Sequence, residues 1–329
     1  ESSSWNDDYH QRYTRLVNDT ARMSGLIAEL LAAECHEQLK DVKRALQGKS
    51  KQPRKLELCF SDEALAQADA DVPVRVCNEW SDDEKAVRVE VLQASTDSPT
   101  AYAFIPKVAG DDLKKALAGR QAAQETLDGR GEPSTDAGRE AQLAIETRRK
   151  AADSELRAAL GQIFRSALVF QAGAKSDLPG LGLADKVKLA VDTALTSLYP
   201  QFDTGDDPRW GVVFGRAQQG DGASLKAIDY QGNTEAHPVC AKVLGYVGAG
   251  KKGLEVWATF GDSPYGWPRD TVDGALLALC ASGHLRCAYQ GKLLEVKQFE
   301  KRKVPQYDFR AETVTLSAAQ RMGLRGLYQ

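Results

Sequence analysis

The constraint that narrows this chain most lies between His284 and Lys297. Two runs of strand-forming residues, HLRCAY and KLLEVK, are separated only by Gln290-Gly291. A two-residue connection ending in glycine closes a tight antiparallel hairpin and sets its register. Upstream the apolar period changes. In PVCAKVLGYV, Val239, Val243, Leu244 and Val247 share a helical face, and Gly248 and Gly250 follow as helix-ending residues. GLEVWATFG reads as a second short helix with Leu254, Trp257 and Phe260 on one face. RDTVDGALLALCASG reads as a third, with Val272, Leu276 and Leu279 facing inward. PYGWP between them is a rigid turn anchored by Trp267. Three helices and then a hairpin is the element order of a winged helix-turn-helix, which is the fold expected for residues 237–329.

One motif inside this segment offers a competing reading. GYVGAGKK, from Gly245 to Lys252, spaces Gly245, Gly250 and Lys251 as in the phosphate-binding pattern G-x-x-x-x-G-K-[ST]. The last position is Lys252, whose ammonium cannot hold magnesium. A phosphate-binding loop leaves a buried strand and opens a helix, whereas the residues before Gly245 carry a helical period. The glycines are therefore expected to connect helices; a nucleotide-binding reading requires a strand before Gly245. His237, ahead of Pro238, and His284, at the hairpin entrance, are expected to cap or pack. No Ser/His/Asp set, paired-carboxylate site or metal cluster stands out. The expectation is a segment that is not an enzyme and holds no cofactor or metal.

Charge is distributed unevenly. The chain carries −3 overall, but His237 to Lys303 holds ten Lys/Arg against six Asp/Glu, a net +4, which leaves −7 elsewhere. Candidate contacts to double-stranded DNA are Lys251 and Lys252 at the first turn and Arg269 at the start of the third helix. Arg286, Lys292 and Lys297 in the hairpin and its exit join them, with Lys301, Arg302 and Lys303 in the tail. Asp270 and Asp273 beside Arg269 repel phosphate, although they suit the helix dipole. Two readings stand: weakly sequence-specific contact with the DNA backbone, or a protein-docking fold whose lysines are ordinary solvated charges.

The remaining chain reads as mixed α/β and predominantly helical. Residues 1–50 form a long amphipathic helix, or two with a kink, with apolar positions from Leu16 to Leu46. The cation-rich stretch from Asp41 to Lys55 is a solvated helix end or a nucleic-acid contact. Residues 51–110 form a small α/β subdomain: strands in KLELCF, VPVRVCNEW and TAYAFIP, with a helix after Ser81 capped with Glu84. Residues 111–175 form a helical hairpin, capped by Ser134 or Thr135, with Leu156, Leu160, Ile163, Ala167 and Phe170 as its seam to about Gln171. It is either a partner-docking arm or part of an internal bundle. Residues 176–236 are a helical connector, with helices near Ala184–Tyr199 and Pro208–Gln219. Six scattered cysteines without a C-x-x-C pair read as reduced core thiols, as in a cytosolic protein. No apolar run approaches the ~20 residues that span a bilayer, so no membrane partner is expected. The chain opens on Glu1 without a signal peptide, which suggests a piece of a longer protein.

Three blocks carry a resemblance. DSPTAYAFIPK (Asp97 to Lys107), HPVCAKVLGYVGAGKKG (His237 to Gly253) and PYGWPRDTVDGALLALCASGHLR (Pro264 to Arg286) resemble, in content, order and spacing, the BrxC/PglY family, the large P-loop proteins of bacteriophage-exclusion (BREX) systems. The helical hairpin and the closing LSAAQRMGLRGLYQ are similar too, so the resemblance covers most of the chain. It implies an AAA-type module, binding ATP and magnesium, in a part of the protein absent from this sequence, and a bacterial, cytoplasmic setting. It implies partners: a DNA methyltransferase and an alkaline-phosphatase-like protein that together mark self DNA and block phage replication. No residue role follows from it. The expected function is a C-terminal scaffold and DNA-interaction segment of a BREX-type phage-defence ATPase; the alternative is a protein-interaction or homo-oligomerisation segment without DNA contact.

Overall fold

The computed structural model describes residues 2–80, 91, 93–94, 98–175 and 180–313. The fold is mixed α/β and predominantly helical, and it divides into two compact units: Glu1–Ala45 with Arg54–Leu195, and Leu46–Pro53 with Thr196–Gln329.

In the first unit the amphipathic run is interrupted. Helix α1 (Ser2–Asn18) and helix α2 (Thr20–Gln38) are separated by Asp19, whose carboxylate accepts the Arg22 N–H at 3.0 Å and caps α2. The helical reading to Gln47 fails beyond Leu39. Arg44–Gln47 is strand β1, so Leu46 lies on a strand and is exposed, while Val42 is buried in the connection. Strand β2 (Gln52–Cys59), helix α3 (Asp62–Ala66), strand β3 (Val72–Asn78) and strand β4 (Ala101–Ile105) follow. β2–β3 and β3–β4 are parallel pairs, with Val74 aligned to Ala101 and Cys77 to Phe104. Every residue of β4 is buried, as in a strand covered on both faces. The helix expected from Ser81 lies outside the described residues, apart from residues 91, 93 and 94, which are helical.

Helices α4 (Gly110–Gly129) and α5 (Asp136–Arg165) form the expected hairpin. Thr135 is its cap, accepting the Gly138 N–H at 3.0 Å. Arg120 meets Asp153, and Arg149 donates to Gln124 at 2.9 Å, so the pair runs antiparallel. Trp5 of α1 packs with Ala123, Ala141 and Ile145, which makes α1, α4 and α5 a bundle rather than a free arm. α5 ends at Arg165, not near Gln171. Leu168–Gln171 is strand β5, antiparallel to β4, and Ala174–Lys175 is β6. Phe170, expected on the helical seam, instead faces Tyr102 across β4 and β5. The sheet order is β1-β2-β3-β4-β5-β6. Helix α6 (Leu183–Leu198) stops ahead of Pro200.

The second unit contains α7 (Phe202–Gly205), α8 (Trp210–Gln218), α9 (Pro238–Val247), β7 (Lys251–Lys252), α10 (Gly253–Gly261), α11 (Arg269–Ala281), β8 (Leu285–Tyr289), β9 (Lys292–Leu294) and β10 (Asp308–Ala311). The Gln290-Gly291 turn between β8 and β9 has positive φ at both residues, 52° and 78°, as a primed hairpin turn requires. The His237 Nδ1 accepts the Val239 N–H at 3.2 Å and caps α9, the helix that occupies the position where a phosphate-binding loop needs a strand. Of Leu254, Trp257 and Phe260, expected on one face of α10, Phe260 is buried and Trp257 half-buried, but Leu254 is 60% exposed and Val256 joins Phe260 in the core. The residues after Lys303, read as a tail, contain β10, which inserts between β7 and β8 in the sheet order β7-β10-β8-β9. α11 packs against α8, α9, α10 and β8, and Thr271 to Leu279 are all buried. All six cysteines are free thiols. Among the described residues no helix is long and apolar enough to cross a membrane.

Candidate functional site

The alternation Asp308-Phe309-Arg310-Ala311 places two different sets of residues on the two faces of β10. Phe309 is buried with Cys287 and Leu285 on the helix side of the sheet. Asp308 and Arg310 point the other way. By register, Asp308 aligns with Lys252 on β7 and with Ala288 on β8, Ala288 aligns with Leu293 on β9, and Arg310 aligns with Arg286. The open face therefore has one mixed row, Lys252–Asp308–Ala288–Leu293, beside an arginine pair. These residues and Glu255 line a groove of about 490 Å³. Leu293 is 71% exposed.

The nine predicted cations do not converge. Lys251, Lys252 and Arg286 line the groove. Lys252 Nζ lies 4.0 Å from Asp308, and Arg286 Nε lies 3.7 Å from Glu312. Lys251 lies 4.0 Å from Glu255 and stands over the Tyr246 ring at 5.2 Å. The Glu255 carboxylate also accepts the Lys252 N–H at 2.8 Å and so ties β7 to the first turn of α10. Lys301, Arg302, Lys303 and Arg269 are held by a second set of contacts. Lys301 pairs with Asp270 at 2.6 Å, Lys303 with Glu300 at 2.7 Å, and Arg302 lies 3.9 Å from Glu300. Glu300 is held below its ordinary pKa, first by the hydrogen bond from Lys303. Arg269 stacks on Trp257 at 4.3 Å. Lys292 and Lys297 are exposed and form no ion pair among the described residues. Arg310 was not among the candidates. The period-two pattern of DFRA marks a strand with an outward arginine, but its position after a run of charged residues makes it read as tail.

The two histidines behave as structural groups. His237 packs edge-on against Trp210 and Tyr230, and burial lowers its pKa, consistent with the neutral Nδ1 acceptor. His284 Nε2 lies 2.9 Å from Glu235. Among the described residues no cluster of three or more His, Cys, Asp or Glu could hold a metal ion. No protein-family model, curated protein or solved structure matches this chain.

Proposed function

We propose that the second unit carries a winged-helix module specialised for docking protein, within a C-terminal scaffold segment of a BREX-type phage-defence ATPase. The observation that carries this reading is the burial of α11 from Thr271 through Leu279. A helix that reads DNA enters the major groove by an exposed face. The exposed residues of α11 are Arg269 and Asp270 at its start, and there Arg269 is stacked on Trp257 while Asp270 is engaged by Lys301. The winged-helix assignment rests on the element order: a helix, a short strand, two helices, a hairpin, and a last strand returning between the first strand and the hairpin. The charge pattern favours protein over DNA as the partner. Six of the nine candidate cations lie within 4.0 Å of a carboxylate of this chain. Neutralising phosphates would mean giving up those contacts, and a carboxylate beside each of these cations lowers the local potential that would draw DNA in, although the segment keeps its net positive charge. The phage-defence setting, and the methyltransferase and phosphatase-like partners, rest on the sequence resemblance. In this reading ATP binding belongs to the AAA-type module that the resemblance implies, not to the residues of this segment.

The test combines two measurements on the intact chain. Sedimentation with the methyltransferase or the phosphatase-like protein of the same operon is expected to give a complex that survives rising salt. Fluorescence anisotropy with a short labelled duplex is expected to stay flat. Duplex binding that weakens steeply with salt, and is lost on combining Lys292→Glu, Lys297→Glu, Lys301→Glu and Arg302→Glu, would overturn docking in favour of DNA contact.

A further inference from the structure

The open face of the second sheet contains a juxtaposition that the isolated fold does not favour. Arg286 and Arg310 are register partners on neighbouring antiparallel strands, so their side chains leave the same face side by side. Like charges directly opposite in a sheet destabilise it. Compensation within the chain is weak. Glu312 approaches Arg286 only to 3.7 Å, and Arg310 has no ion-pair partner among the described residues. Both arginines are exposed. On the next row of the same face lie Ala288 and Leu293, and the whole lines the groove of about 490 Å³. An exposed arginine pair beside an exposed leucine is complementary to an anion placed next to an apolar side chain.

We infer that this groove receives an acidic segment of a partner protein, with one carboxylate held by Arg286 and Arg310 and a neighbouring apolar residue seated on Leu293 and Ala288. This deepens the docking reading above and rests on it. Guanidinium groups bind carboxylate in a planar, two-point geometry that a lysine pair would not reproduce. The same groove disfavours a nucleic-acid backbone. Glu255 and Asp308 line it, and Glu312 stands beside Arg286, so a succession of phosphates would meet carboxylates on either side of the arginines. A single carboxylate centred between the arginines avoids them, and a phosphate backbone has no apolar group to cover Leu293.

The probe is a fluorescein-labelled peptide of alternating Glu and Leu, compared with the same peptide carrying Gln for Glu and with a single-stranded oligonucleotide. Binding of the Glu peptide to the intact chain is expected to fall at least about tenfold in Arg310→Gln and in Arg286→Gln, the loss typical of a charge-assisted hydrogen bond. It should fall less in Leu293→Ser, and the Gln peptide should bind as poorly as the arginine variants. Thermal unfolding of Arg310→Gln should be unchanged or shifted upward, since one of two repelling charges is gone; this separates lost recognition from lost folding. Equal binding of the Glu and Gln peptides, or Glu-peptide binding indifferent to both arginine variants, overturns the assignment. So does oligonucleotide binding that both variants abolish. A chain that still forms its complex with an operon partner when both arginines are Gln leaves the docking reading standing and removes only this site.

Discussion

Asp273 is 2% exposed, one turn into α11, and its Oδ1 accepts the Trp257 indole N–H at 2.6 Å. Burial is the main reason its pKa rises from 3.8 to about 7; the indole hydrogen bond, Lys301 and Arg269 pull it down, and Asp270 pushes it up. The sign follows from proton counting. Between about pH 4 and 7 the folded chain holds a proton on Asp273 that the unfolded chain has released, so stability falls as pH rises through that window and levels off above it. The difference is on the order of 4 kcal/mol at most. Asp273→Asn keeps a carbonyl acceptor for the indole and removes the titration. Urea unfolding should show wild type losing stability relative to this variant from pH 4 to 7, with the variant at least as stable at pH 8. Taking the difference cancels His237, whose lowered pKa acts in the opposite direction as pH falls below about 6.5. A constant difference across that range would count against a buried, titrating Asp273. Gly253 is set by proximity instead. A Cβ there would lie 1.9 Å from the Val304 carbonyl oxygen, a backbone atom that cannot swing aside. Gly253→Ala is expected to cost more than about 3 kcal/mol, beyond ordinary overpacking, or to leave the second unit unfolded by tryptophan fluorescence.

Elements differ in how plainly local sequence announces them. The β8–β9 hairpin is legible because Gln290-Gly291 admits few alternatives, and α9 because Pro238 follows a capping residue and glycine closes the helix. α5 is legible at its start, where Thr135 accepts a backbone N–H, and Thr135→Ala should cost about 1 kcal/mol in chemical denaturation. Its end is not legible. Leu168 to Gln171 continues the helical apolar spacing, and only pairing with β4 turns it into a strand. β1 is hidden for the same reason: Arg44–Gln47 has helix-forming residues and is extended because it occupies a sheet edge. Leu254 shows how short helices mislead, since nine residues give too few turns to decide which face is inward.

At the scale of the whole molecule, the candidate site was partly legible. Local sequence marks where cations are dense and places Glu255 and Glu300 within a turn of Lys251 and Lys303; it does not reveal that Asp270, Asp308 and Glu312 are folded against Lys301, Lys252 and Arg286. That pairing predicts a modest salt dependence for a protein complex made through the second unit, set by the arginine–carboxylate contact rather than by a row of phosphates. A plot of log affinity against log salt should have a slope well short of the ~0.9 per neutralised phosphate of a duplex contact, and a slope matching several phosphates would contradict the docking reading. The mixed α/β class, the helices of the C-terminal segment and its tight hairpin were legible from the residues alone, because turn chemistry and helical period act over a few residues. Long-range packing decided that α11 is buried from Thr271 to Leu279, that β10 threads between β7 and β8, and that Arg286 meets Arg310. Burial and strand register depend on contacts between residues far apart in the chain, and no local pattern encodes which distant neighbour arrives.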